Sequence, residues 1–142
     1  MKFPNTRHAT RAAAAAVPLI AVLALGGCAA LDSRTPEQIV AERAAARWEA
    51  IIANDWQAAY EYATPGYRAA NKLEAYQGRL QSAVIRRQGI EVSGVECPQA
   101  DSCTATLLLA YQPLQPGFPS MKTRMTERWI LEEGRWYIHL PL

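Results

Sequence analysis

The sequence predicts an α+β domain in which N-terminal helices pack on an antiparallel β-sheet. Two observations carry this expectation. Apolar residues recur at helical spacing from about residue 35 to residue 80. From about residue 83 the pattern changes to short β-rich runs punctuated by Gly89, Gly94 and Pro98. Helices first and hairpin-linked strands after them place the helices on one side of a single sheet.

Thr35-Pro36-Glu37-Gln38 signals the first helix. Thr35 suits the cap, Pro36 the first helical position and Gln38 the reciprocal position of a capping box. Val40, Ala44, Trp48 and Ile51 or Ile52 then form an apolar stripe, with Glu42, Arg43, Arg47 and Glu49 assigned to other faces, so the helix should run to about Ala53. Asn54-Asp55 breaks it, and Asp55 caps a shorter second helix carrying Trp56, Ala59 and Tyr60. Thr64-Pro65-Gly66 ends that helix. One helical turn is expected over 67–70, and a further helix from Leu73 to about Leu80 with Leu73, Tyr76 and Leu80 on one face.

Strands are expected at 83–88, 90–97, 102–112, 120–132 and 135–140. Cys103, Ala105, Leu107, Leu109 and Tyr111 share one face, and Thr104, Thr106, Leu108 and Ala110 the other. Met121 to Leu131 alternates in the same way against Lys122, Arg124, Thr126, Arg128 and Ile130, so one face is wetter. Glu133-Gly134 supplies a hairpin turn, and Pro113 to Pro119 is a proline-rich loop between two long strands.

The head of the chain has a different character. Lys2, Arg7 and Arg11 precede a run of small and apolar residues from Ala12 to Leu25, and the first acid is Asp32. This is the pattern of an export signal, and the run is shorter than the ~20 apolar residues of a spanning helix. It ends in Leu25-Gly26-Gly27-Cys28, which resembles the lipobox of bacterial lipoproteins. The resemblance implies cleavage after residue 27 and acylation of Cys28. Ala29 in place of aspartate implies sorting to the outer membrane, facing the periplasm. The expected organisation is therefore a signal at 1–27, a lipidated tether at 28–34 and one domain at 35–142. Six residues after the cysteine reach at most about 20 Å, so the domain should ride close to the bilayer.

Removal of Lys2, Arg7 and Arg11 leaves 12 of the 15 Lys and Arg against 13 Asp and Glu, a net charge near −1. No basic excess remains to draw nucleic acid. Besides Cys28 only Cys97 and Cys103 remain, separated by the turn-like Pro98-Gln99-Ala100-Asp101-Ser102. In an oxidising compartment this predicts a structural disulfide. The spacing suits neither a zinc site nor a redox pair, and His139 is the one histidine beyond the leader. No metal or other cofactor is expected.

The order of elements resembles the cone-shaped fold of nuclear-transport-factor-2-like and cystatin-like proteins. The resembling residues are Arg47-Trp48-Glu49-Ala50-Ile51-Ile52, Asn54 to Tyr62, Thr64-Pro65-Gly66-Tyr67-Arg68, Arg128-Trp129 and Gly134-Arg135-Trp136-Tyr137. The texture is also that of small proteobacterial lipoproteins. The resemblance implies a curved sheet around a cavity. That fold hosts isomerases, dehydratases and plain binding modules, so activity must be argued from a site.

For an enzyme, the steroid-isomerase type implied by the resemblance needs a carboxylate and a tyrosine in the cavity. Candidates are Asp55, Tyr60, Tyr62, Glu127 and His139. Asp55 reads first as a cap, Tyr60 as core with a satisfied hydroxyl, Glu127 as an acid paired with an arginine or at a wet sheet edge, and His139 as exposed. For a binding module, Trp48, Tyr60, Glu127 and Trp129 are the expected cavity residues, and Leu114 and Phe118 the expected partner-facing loop. Arg86-Arg87 and the stripe Lys122, Arg124 and Arg128 suit either anionic lipid or cell-wall polymers, and read first as a solvated strand face. The expectation is a membrane-anchored binding or envelope accessory module, its partner an apolar small molecule or another envelope protein. The alternative is a cavity enzyme of the steroid-isomerase or dehydratase type.

Overall fold

The computed structural model describes residues 33–141. The leader, Cys28 and residues 28–32 of the tether lie outside them. Four helices precede four strands: α1 (Pro36–Ile52), α2 (Trp56–Tyr60), α3 (Pro65–Ala70), α4 (Leu73–Gln81), β1 (Ile85–Gln99), β2 (Ser102–Pro113), β3 (Met121–Glu132) and β4 (Arg135–Ile138). Among the described residues no helix is long and apolar enough to cross a membrane.

The helix starts follow the expected chemistry. The Thr35 hydroxyl accepts from the Gln38 amide, and the Gln38 side chain accepts from the Thr35 amide at 2.9 Å. Such a cap contributes about 1 kcal/mol. The Asp55 carboxylate accepts from the Ala58 amide at 3.0 Å and starts α2. Thr64 caps α3.

The strands form one antiparallel sheet in chain order, β1-β2-β3-β4. Two expectations are corrected here. The runs 83–88 and 90–97 are one strand. Gly89 and Gly94 do not end it but sit where its pairing with β2 slips by a residue, at Arg87/Gly89 and Val92/Gly94. Glycine inside a strand commonly marks such a bulge. The sheet is also not the curved, cone-forming sheet expected: it stays flat and open, with β1 and β4 at its edges. Trp48, Tyr60, Tyr67 and Tyr76 are buried in the core that the helices build against its inner face. Beyond β4, Ala63 bridges Ile138 in parallel, and the Ile138 amide donates to the Tyr62 carbonyl at 2.8 Å.

The core lies between α1 and the inner sheet face. Val40, Ala44, Trp48 and Ile51 meet Cys103, Ala105, Leu107, Leu109 and Trp129. Glu133 and Gly134 both take positive φ, 50° and 77°, as the tight β3–β4 turn requires.

Cys97 and Cys103 are disulfide-bonded, joining the ends of β1 and β2. Closing a loop this short stabilises by about 2–3 kcal/mol through loss of freedom in the unfolded chain. The double variant Cys97→Ser/Cys103→Ser should lower urea-unfolding stability by that amount, and reduction of the parent protein should match it. An unchanged midpoint in both would remove the disulfide from the stabilising interactions.

Candidate functional site

A charged cluster is buried where α1, α4 and β3 meet. Arg47 follows Val40 and Ala44 on the stripe that α1 turns towards the sheet, so its side chain goes inward and is 3 % exposed. Glu127 stands on the inner face of β3 opposite Ala105 and is 7 % exposed. Arg47 Nη1 donates to Glu127 Oε1 at 2.5 Å, and Trp48 Nε1 donates to the same oxygen at 2.7 Å. Arg47 Nη2 donates to the Tyr76 hydroxyl at 3.2 Å. The guanidinium also lies 5.6 Å from the Trp48 ring.

Three buried polar atoms here have no hydrogen-bond partner: Arg47 Nε, Glu127 Oε2 and Trp129 Nε1. Unpaired groups of this kind cost stability unless a small molecule or water meets them. Burial pushes the Tyr76 hydroxyl above its ordinary value, against the pull of Arg47, so tyrosine rather than tyrosinate faces the guanidinium. Tyr76 itself is framed by rings, with Tyr60 at 5.5 Å and Tyr67 edge-on at 6.4 Å.

A cleft of about 210 Å³ opens beside this cluster, lined by Arg47, Tyr67, Tyr76, Arg79, Leu80, Leu140 and Pro141. Its walls are mainly apolar. Arg79 donates to Asn71 Oδ1 at 3.0 Å and to the Tyr67 hydroxyl at 3.4 Å, and makes no ion pair among the described residues. One guanidinium in the cleft is thus balanced by Glu127 and the other by no acid. A separate hollow of about 260 Å³ lies where the end of α1 meets β1 and the proline-rich loop, between Ile51, Ile52, Asn54, Ile85, Arg86, Arg87 and Leu114.

The expected cavity residues are all buried, but they do not line a common cavity. Trp48 and Glu127 are bonded to each other. The Tyr60 hydroxyl donates to the Asn71 carbonyl at 2.5 Å, with the Arg68 carbonyl at 3.0 Å, and serves the α3–α4 corner. Trp129 is fully buried core. Asp55 is a cap, and His139 is exposed. Leu114 and Phe118 project from their loop at 55 % and 50 % exposure. Among the described residues no group of three His, Cys, Asp or Glu is placed to hold a metal.

Sequence reasoning missed Arg47, assigning it to a wet face of α1 because it is charged. The signal was present in its spacing, since 40, 44, 47 and 51 form one inward stripe. Arg79 was also missed, and nothing in its local sequence marks it.

No family model matches the chain, and no curated protein matches it. Its fold is similar to those of solved structures. A SEC-C motif containing protein from Rhodopseudomonas palustris superposes with TM-score 0.53 at 15 % identity, over 66 % of this chain and 70 % of that one. A SEC-C motif containing protein from Psychrobacter arcticus superposes with TM-score 0.57 at 9 % identity, over 78 % of this chain and 63 % of that one, so this chain spans less than two thirds of its length. A provisionally assigned polyketide cyclase from Xanthomonas campestris pv. campestris gives TM-score 0.48 at 15 % identity, over 75 % of this chain and 93 % of that one. The chain is thus a small α+β domain whose fold is similar to those of the two SEC-C motif containing proteins. Identities this low speak for the fold and are silent on activity.

Proposed function

We propose that this protein is a lipid-tethered envelope binding module, held at the periplasmic face of the outer membrane through Cys28, whose cleft takes a small amphipathic acid. One observation carries the ligand class. Arg47 is buried at the base of an apolar-walled cleft with its Nε unpartnered, and Arg79 adds a second guanidinium without an acidic partner. Arginine forks pair with carboxylates, while Leu80, Leu140 and the two tyrosine rings would cover an apolar body. Room of about 210 Å³ limits that body to roughly one ring or a short branched chain. The Cys97–Cys103 disulfide supports an oxidising compartment, and the lipobox-like residues support the tether.

The test is a titration with phenylpropionate and with its uncharged amide, followed by backbone NMR shifts. The acid should perturb Tyr76, Arg79 and Leu140, and Arg79→Gln should weaken it about tenfold, the scale of a lost charge-assisted hydrogen bond. Equal binding of the amide would discard the acid-binding reading. For the tether, Cys28→Ser should abolish leader removal and palmitate labelling.

A second reading, an enzyme of the steroid-isomerase or dehydratase type, is favoured by one observation: Glu127 Oε2 is buried without a donor, one residue of separation through Arg47 from the Tyr76 hydroxyl. A carboxylate that takes a proton beside a hydroxyl that steadies the oxyanion is that chemistry. Glu127 does not line the cleft, so this reading needs the Arg47–Glu127 pair to part. Isomerisation of a β,γ-unsaturated ketone, lost in Glu127→Gln, would establish it over the binding reading.

A further inference from the structure

The end of the domain away from the start of α1 carries an apolar tip inside a collar in which cations predominate. Val84, Leu114 and Phe118 are 65 %, 55 % and 50 % exposed, and Met121 beside them is 36 % exposed. The Leu114 amide donates to the Val84 carbonyl at 3.1 Å, which ties the two segments together. Residues 82–90 and 108–126 form this end of the sheet. They contain no Asp or Glu but hold Arg86, Arg87, Lys122 and Arg124. Arg87 is spent on the Leu80 carbonyl at 2.7 Å, whereas Arg86, Lys122 and Arg124 are exposed and make no ion pair among the described residues. Two acids lie nearby: Asp55 is occupied as the cap of α2, and Glu91, opposite Leu108, lines a shallow hollow with Lys122, so the cations outnumber the acids without excluding them.

We infer that this tip docks on the surface of an anionic phospholipid bilayer, with Leu114 and Phe118 entering the headgroup region and Arg86, Lys122 and Arg124 facing lipid phosphates. Charge complementarity selects this occupant. Apolar side chains alone would suit a protein partner equally, but a predominantly cationic collar around an exposed apolar hairpin tip matches a surface that is anionic throughout. Each cation held at an anionic leaflet strengthens partition about fivefold. Pro113, Pro116 and Pro119 restrict the loop, so little freedom is lost on contact.

The chain outside the described residues permits the contact. The start of α1 lies by Val92 to Val95 and its end by Leu114, so the tip and the tether are about 25 Å apart, the length of 17 helical residues. The six residues after Cys28 reach at most about 20 Å when extended. A domain lying along the bilayer reaches it with its tip. This geometry rests on the tether proposed above, whereas the lipid contact does not.

The experiment is hydrogen exchange on the purified full-length chain bound to protein-free vesicles, either phosphatidylcholine alone or phosphatidylcholine rich in phosphatidylglycerol. Comparing equal amounts of bound protein separates tip contact from anchoring, so failure of the tether cannot pass for failure of the tip. Amides of residues 114–121 should exchange several-fold more slowly on the anionic vesicles. The protection should vanish in Leu114→Ser/Phe118→Ser and weaken in Arg86→Gln/Lys122→Gln, with exchange in β2 unchanged as proof of folding. Equal exchange on both vesicle types would overturn the inference. So would protection that appears only in native envelope fragments and not on protein-free lipid, which would assign the tip to a protein.

Discussion

Glu127→Ala should destabilise the domain by about 3–5 kcal/mol, read as a fall in the urea-unfolding midpoint. The loss comes less from the attraction removed than from what is left behind. Arg47, at 3 % exposure, would keep its charge with neither carboxylate nor water beside it, and Trp48 Nε1 would lose its acceptor. Arg47→Met should cost a similar amount, because it strands the carboxylate instead. The paired variant Arg47→Met/Glu127→Leu should recover most of either loss, since apolar side chains of similar volume often replace a buried ion pair without penalty. If the two single variants each cost under about 1 kcal/mol, water reaches the pair and it is no buried cluster. In the intact domain the pair's role is then chiefly positional: it fixes Arg47 at the base of the cleft.

The pair also shows what sequence reading reaches and where it stops. Simple alternation places Glu127 on the inner face with Met125 and Trp129 and leaves it either an arginine partner or water at a sheet edge; the structure gives it the arginine. Which arginine was not legible, because the partner lies 80 residues away. Residue type alone puts Arg47 on an outer face of α1, whereas its spacing with Val40, Ala44 and Ile51 puts it on the buried one. The start of α1 was legible to the residue, since a capping box is a local device with a local signature. The sequence divides β1 in two at Gly89, whereas a strand held along β2 absorbs Gly89, like Gly94, at a slip in register. That the sheet is flat rather than cone-forming is not legible in the sequence. Curvature belongs to the sheet as a whole and depends on what fills its inner face, here four aromatic side chains from the helices. The cleft depends on Leu140 and Pro141 meeting α4, a long-range event that no local pattern announces.

Trp129→Ala should cost about 3–5 kcal/mol, while Trp129→Phe should cost under about 1.5 kcal/mol, and the gap between them is the informative quantity. Trp129 is fully buried, paired across the sheet with Cys103 and Ile138, with the Tyr62 ring edge-on at 6.4 Å. Truncation to alanine leaves a void beneath the disulfide that the crosslinked strand ends cannot close. Phenylalanine keeps most of the ring volume and removes an indole N–H that has no partner, and leaving such a group buried costs about 1–3 kcal/mol. That relief offsets much of the lost packing. A phenylalanine variant as unstable as the alanine one would mean that the indole is hydrogen-bonded after all, through a buried water. The interior beside the cleft would then be wet, and a ligand seated there would displace water rather than satisfy bare polar atoms.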